Sequence, residues 1–174
     1  MDKEQSNYFI GKMKKIMVFR YLSDASLQEI FRMSSILNYK QNDRIICQGE
    51  TSPYFYSVLE GNVNVHVRET GGKEVYICTI GEGEVFGEAG IFLKVKRTAD
   101  VVSVDNSTIL RIHRKDLLDF IKKSPSSGVK VLMIIIYSLL KKLRDANQDL
   151  AFERKSGLDQ ADIDSMVEDL IRED

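Results

Sequence analysis

The residues best suited to chemistry lie between Gly83 and Val101, in the stretch GEVFGEAGIFLKVKRTADV. Val85-Phe86 is a short apolar entry, followed by Gly87 and, three residues later, Gly90. Glycine permits positive φ and lets backbone amides approach a ligand closely. Ala89-Gly90-Ile91-Phe92-Leu93 reads as a single helical turn. The first amides of such a turn point outward without partners and attract anions. Glu88 stands at that turn, where a carboxylate can accept hydrogen bonds from hydroxyl groups. Arg97 follows nine residues later, and its planar fork suits a phosphate. Thr98 adds a hydroxyl next to it. These types in this order predict a phosphate-binding loop.

Gly87-Glu88, a short helical turn and then Arg97-Thr98-Ala99 resemble the phosphate-binding cassette of cyclic-nucleotide-binding domains. That family includes the catabolite activator protein, regulatory subunits of the cAMP-dependent protein kinase and cyclic-nucleotide-gated channels. The resemblance implies cAMP or cGMP as bound ligand, with Glu88 on the ribose 2′-hydroxyl and Arg97 on the cyclic phosphate. It implies Gly87, Ala89, Gly90, Thr98 and Ala99 as the remaining wall. It also implies a mainly β core within an α+β fold: an eight-stranded antiparallel β-roll, or jelly-roll barrel, with the cassette between its sixth and seventh strands. Members that keep the fold without a ligand usually lack the Glu or the Arg, and both are present here. The alternative expectation is a degenerate domain used for structure or protein interaction.

The elements that must position this loop follow from hydrophobic periodicity. Residues 1–20 predict a helix on Tyr8, Phe9, Met13, Ile16 and Met17, and Lys12, Lys14 and Lys15 predict its solvated face. Ser23 and the Ser26/Glu29 spacing signal a second helix to about Leu37. The period then changes to two. Strands are expected at 37–40, 44–47, 55–60, 62–68, 74–80, 85–86, 98–103 and 108–113, separated by Gly, Asn and Asp. Val63, Val65 and Val67 are expected on a buried face, with Val75, Ile77 and Thr79 behaving similarly. Residues 114–123 predict a short amphipathic helix, and Ser124-Pro125 a break before a long helix over 129–155. The domain is therefore expected to span 1–155: helices over 1–36, the roll over 37–113 and helices over 114–155. An acidic helical tail is expected over 156–174, with Ile163, Met166, Val167, Leu170 and Ile171 on one face.

Within the long helix, Val131–Tyr137 is apolar on every side, so every side needs a cover. The N-terminal helices or a second subunit could supply it, and the resemblance favours a homodimer through the 129–155 helix. Leu143, Leu150 and Phe152 form a thin apolar stripe on its polar second half. In the family this half lies over the bound base. An ungapped match at Lys141-Lys142-Leu143 puts Asn147 where the catabolite activator protein contacts the base, and Arg144 is the alternative that channel members suggest. Asn carries both a donor and an acceptor for a purine edge.

Composition bounds the remaining readings. The chain has 174 residues, 43% hydrophobic and 29% charged, an ordinary globular balance with net charge −1. Residues 156–174 hold seven acids and one base, a net of −6, which leaves −1 + 6 = +5 for the rest. Bacterial regulators of the family continue into a DNA-reading module rich in Lys and Arg. This acidic tail is the opposite, so DNA is not an expected partner. Met1-Asp2-Lys3-Glu4-Gln5 is polar and does not read as a signal peptide, and no apolar run is long enough to span a bilayer. Cys47 and Cys78 are expected as reduced core thiols of a cytoplasmic protein. A jelly roll could also house a metal-dependent cupin, but that needs clustered ligands. His66 and His113 stand on separate strands without a paired histidine. No metal and no enzymatic constellation is expected. The expected function is that of a sensor that reports nucleotide occupancy to an effector protein through its C-terminal helices.

Overall fold

In the computed structural model, residues 3–172 are described, with the exception of Lys94; the side chains of Lys3, Ile91, Asp149 and residues 151–172 lie outside the description. The expected tail face on Ile163, Met166, Val167, Leu170 and Ile171, and the stripe residue Phe152, are therefore outside it. Two compact units are distinguished, one through Ile134 and one from Ile135 onward.

The first unit opens with α1 (Lys3–Met13) and α2 (Asp24–Met33). Eight strands follow: β1 (Ser34–Tyr39), β2 (Arg44–Ile46), β3 (Tyr54–Glu60), β4 (Val63–Arg68), β5 (Glu74–Ile80), β6 (Val85–Phe86), β7 (Asp100–Ser103) and β8 (Ser107–His113). The single turn α3 (Ala89–Phe92) lies between β6 and β7, where the cassette is expected. Then come α4 (Arg114–Lys123) and α5 (Pro125–Arg172). The strands form two four-stranded sheets, in the orders β1-β8-β3-β6 and β2-β7-β4-β5. All pairings are antiparallel. This is the eight-stranded roll expected from the alternating patterns.

Tyr56, Val58, Phe86 and Ile109 of one sheet share a buried core with Ile46, Val63, Ile80 and Val101 of the other. Strand β3 is buried from Phe55 to Leu59, so both of its faces are covered. Its other face belongs to the helices: α1 contacts β3, α4 contacts β8, and Phe19, Ile30, Leu117 and Phe120 are buried with Phe55, Leu110 and Ile112. Burying such side chains contributes roughly 1.5–3 kcal/mol each before chain entropy is counted.

Several boundaries differ from expectation, each for a packing reason. Helix α1 ends at Met13, not at residue 20. Beyond it the chain tightens into turns that bury Ile16, Val18 and Phe19 and let Met17 N donate to Gly83 O at 3.2 Å. Helix α2 is capped by Ser23 as predicted, with Ser26 N donating to Ser23 Oγ at 3.3 Å. It stops at Met33 because residues 34–39 pair with β8 instead. Tertiary pairing overrides a helical pattern here. The expected alternation of β5 fails: Ile77 is 53% exposed, and Cys78 and Thr79 are exposed as well. Strand β5 is an edge strand, with β4 on one flank only. Cys78 is therefore not a core thiol, and Cys47 is only half-buried. His113 serves as N-cap of α4, its Nδ1 accepting from Lys115 N at 3.1 Å, while His66 sits edge-on to Tyr76. Helix α5 begins at Pro125, with proline at its first position, and runs unbroken through residue 156.

A polar latch ties α1 to the roll. Tyr8 Oη donates to Glu60, and Lys12 Nζ stands 3.3 Å from Glu60 and 3.1 Å from Glu82. The Tyr8 hydrogen bond above all, with those of Lys12 and Thr108, holds the Glu60 carboxyl below its ordinary value of 4.5 despite opposing desolvation. The same bond raises the Tyr8 phenol above 10.0. A lowered acid stabilises the fold above its unfolded value and loses that effect as pH falls through the folded value; a raised one loses it as pH rises. Amide exchange of residues 4–13 should thus stay constant, once intrinsic rates are divided out, between about pH 5 and 9. Protection should fall below pH 4.5 in the wild type but not in Glu60→Gln.

Candidate functional site

The site forms where β6 ends. Phe86 stacks on Tyr56, with ring centroids 5.0 Å apart and planes 7° from parallel. The chain then turns sharply at Gly87, whose φ is +74°. Glu88 begins α3 in helical backbone geometry, and its side chain makes no capping bond. The turn closes through Gly90 N donating to Gly87 O at 3.1 Å and Leu93 N donating to Ala89 O at 2.8 Å.

Arg97 returns to this turn from the far side of the loop. Its guanidinium donates from Nη1 to Gly87 O at 3.0 Å, and from Nη2 to Ser52 O at 2.9 Å and Tyr54 O at 2.6 Å. It lies over the Tyr56 ring, with Cζ 5.9 Å from the centroid. Arg97 is only 9% exposed and Glu88 6%. Burial pulls the Arg97 guanidinium below its ordinary range, while Tyr56 and Glu88 act in the opposite direction. Three neutral carbonyls hold the cation in place without neutralising it. Its Nε is buried and makes no hydrogen bond. An unbonded N–H on a buried guanidinium calls for an acceptor, and an anion suits it best. The residues present therefore fit a phosphate.

The structure brings Gly87, Glu88, Gly90 and Arg97 together. Ala89 and Thr98 are exposed, and Ala99 is half-buried. Asn147 and Arg144 belong to α5 in the second unit and both are exposed, with Arg144 Nη2 3.2 Å from Asp145 Oδ1. The sequence reading missed Ser52 and Tyr54. They act through main-chain carbonyls, which leave no mark in residue type. The alternation of Tyr54 and Tyr56 on β3 was the visible signal.

Comparison with known proteins agrees with this fold. The cyclic nucleotide-binding domain family matches residues 36–124, just over half of the chain, and the chain belongs to that family. The cyclic AMP receptor protein of Thermus thermophilus is 30% identical over 112 residues, covering 64% of this chain and 50% of that protein. A cGMP-dependent protein kinase of Plasmodium berghei is 30% identical over 95 residues, covering 55% of this chain and 10% of the kinase. Among solved structures, the Thermus thermophilus catabolite activator protein superposes with a TM-score of 0.68 at 26% identity, over 78% of this chain and 62% of that one. This chain thus spans about half of the receptor protein's length. Among the described residues no helix is long and apolar enough to cross a membrane, and no group of three His, Cys, Asp or Glu is placed to hold a metal ion.

Both glycines face Arg97 and differ in backbone. A Cβ on Gly90 would fall 2.9–3.1 Å from the Arg97 guanidinium, the end of a long side chain. A Cβ on Gly87 would meet Arg97 Nη1 at 3.0 Å, the Tyr56 ring at 3.1 Å and the Tyr54 carbonyl at 3.3 Å, at a φ that costs about 1–2 kcal/mol for any other residue. Gly87→Ala should lower the melting temperature. Gly90→Ala, whose backbone carries no strain, should lower it less, while displacing Arg97 and weakening ligand binding, which calorimetry and thermal denaturation together would show.

Proposed function

We propose that this chain binds cAMP or cGMP at Gly87–Ala99 and acts as a non-enzymatic sensor in the cytoplasm, passing occupancy to an effector protein. The observation that carries this reading is the buried Arg97 guanidinium with its free Nε, beside the buried Glu88. Arg97 takes the cyclic phosphate together with the amide of Thr98, while the Gly90 amide closes the turn on Gly87 O. Glu88 accepts from the ribose 2′-hydroxyl, and Ala89 and Ala99 line the approach. The names of the relatives support this ligand class and leave the base open, since one is a cyclic AMP receptor and another a cGMP-dependent kinase.

Titration calorimetry with cAMP, cGMP and ATP tests the reading. Arg97→Ala should cost roughly 2–5 kcal/mol, as for one member of a buried charge pair, or at least about 30-fold in affinity. Glu88→Ala should cost about 1.5–3 kcal/mol, and much less with a 2′-deoxy ligand. Unchanged affinity in a folded Arg97→Ala protein would remove the assignment.

Signalling is assigned to α5. Residues 141–150 are polar with a thin apolar stripe, and segments with few buried contacts open at low cost. A nucleotide base offers this segment a stacking surface and a polar edge for Asn147 or Arg144. The ligand shifts the equilibrium only by its extra contacts in the closed state. Saturating cAMP should slow amide exchange across 141–152. A change confined to 83–101 would mean that α5 does not report binding.

A homodimer through α5 is proposed from its uncovered face. Val131 and Ile135 are buried, but Met133, Ile136, Tyr137, Leu140 and Leu143 are 53–65% exposed and recur at helical spacing. Because Ile135 is already buried, its substitution would not report on assembly. Leu140→Glu should instead give a monomer with an unchanged melting curve of the roll. A wild-type chain that is monomeric by light scattering at high concentration would contradict the dimer.

A further inference from the structure

Asp100 lies three residues after Arg97 and is 1% exposed, an acid inside the roll with no role in the site described above. Its Oδ1 accepts from Gln48 N at 2.7 Å, and Arg68 Nη2 reaches the same oxygen at 3.4 Å. Its Oδ2 stands 2.7 Å from Arg68 Nε, an ion pair by distance whose alignment is not that of a hydrogen bond. Arg44 Nε is more remote, at 3.9 Å. Arg68 in turn grips Gln48 on both sides. Arg68 N donates to Gln48 Oε1 at 2.6 Å, Gln48 Nε2 donates to Arg68 O at 3.1 Å, and Arg68 Nη2 donates to Gln48 O at 3.0 Å.

The residues immediately after Gln48 carry Arg97. Gly49 N donates to Arg97 O at 2.8 Å, and Arg97 N donates to Glu50 O at 2.7 Å. Two residues further on, Ser52 O accepts from the Arg97 guanidinium, as does Tyr54 O beyond it. The segment from Gln48 to Tyr54 is therefore a strap with Arg97 hung on it by both main chain and side chain. Its first residue is pinned to the Asp100–Arg68 pair. A buried carboxylate with two hydrogen-bonded or ion-paired partners is costly to misplace. This pair consequently fixes where the strap lies.

We propose that Arg68 and Asp100 are positioning residues of the phosphate site, acting on Arg97 through the Gln48–Tyr54 strap. They do not touch the ligand. They set the place and direction of the guanidinium, including its unbonded Nε–H. The inference rests on the proposed role of Arg97 for its consequence in binding, but its structural half stands without any ligand.

The experiment uses the full chain with Arg68→Ala, and Arg44→Ala as a control that loses the remote contact to Asp100 but none to the strap. Arg68 is 38% exposed in its side chain, but its loss leaves the buried Asp100 without its nearest cation, so the fold of the variant is first checked by its amide spectrum. The first readout is the Arg97 Nε–Hε resonance of the ligand-free protein, identified by its disappearance in Arg97→Ala. In Arg68→Ala it should move toward the position of free arginine and exchange faster with water; in Arg44→Ala it should not. The second readout is cAMP affinity in a double-mutant cycle. Arg68→Ala should weaken binding about tenfold alone and not at all further in an Arg97→Ala background, a coupling of about 1.4 kcal/mol. A general loss of structure would give additive effects. An Arg97 resonance unchanged by Arg68→Ala, or additive losses, would overturn the inference. Absence of cAMP and cGMP binding by the wild type would instead overturn the proposed function, and the resonance would still decide the positioning role.

Discussion

A buried arginine constrains the rest of this structure. Removing a guanidinium from water is expensive unless its donors are met and its charge is answered. Here Arg97 is held by the carbonyls of Gly87, Ser52 and Tyr54 and by the face of Tyr56. Those contacts orient the fork but supply no full counter-charge, and burial accordingly lowers its proton affinity. The unbonded Nε is what remains of the desolvation cost. A phosphate at that position would complete the shell, so the same feature that burdens the empty fold would favour the occupied one.

The roll provides the rigidity this demands. Tyr54 and Tyr56 lie on β3, which is flanked by β8 and β6 and covered on both faces. Phe86 stacks on Tyr56 and ends the strand that delivers Gly87. The positive φ of Gly87 then reverses the chain toward Arg97. Behind the arginine, the strap from Gln48 is fixed to β4 through Arg68 and to β7 through Asp100. Elements from both sheets thus converge on one side chain.

The fold was legible because its signals are local. The switch from helical to alternating periodicity, the Ser23 cap and the Gly87–Thr98 order each occupy a short window of residues, whereas the long helix, expected from 129, starts at Pro125. What escaped the sequence depends on placement. Ile77 and Cys78 carry the same pattern as buried neighbours, and only the edge position of β5 exposes them. Ser34 and Ser35 continue a helical pattern that pairing with β8 overrides. Met133 and Ile135 are equally apolar, yet one is exposed and the other buried, since the helix offers them to different surroundings. The carbonyls of Ser52 and Tyr54 are common to every residue type and could not be found by reading side chains. Asp100 lies inside the strand expected over 98–103 with no mark of its own, and its burial against Arg68 follows only from the antiparallel pairing of β4 and β7.

The central claim is that the free N–H of Arg97 awaits a cyclic phosphate. A crystal structure of the chain grown with saturating cAMP or cGMP tests it most directly. The account predicts the phosphate within hydrogen-bond distance of Arg97 Nε, the ribose 2′-hydroxyl against Glu88, and the three carbonyl contacts of the guanidinium retained. A nucleotide bound elsewhere, or a phosphate that leaves Arg97 Nε without an acceptor, would contradict it.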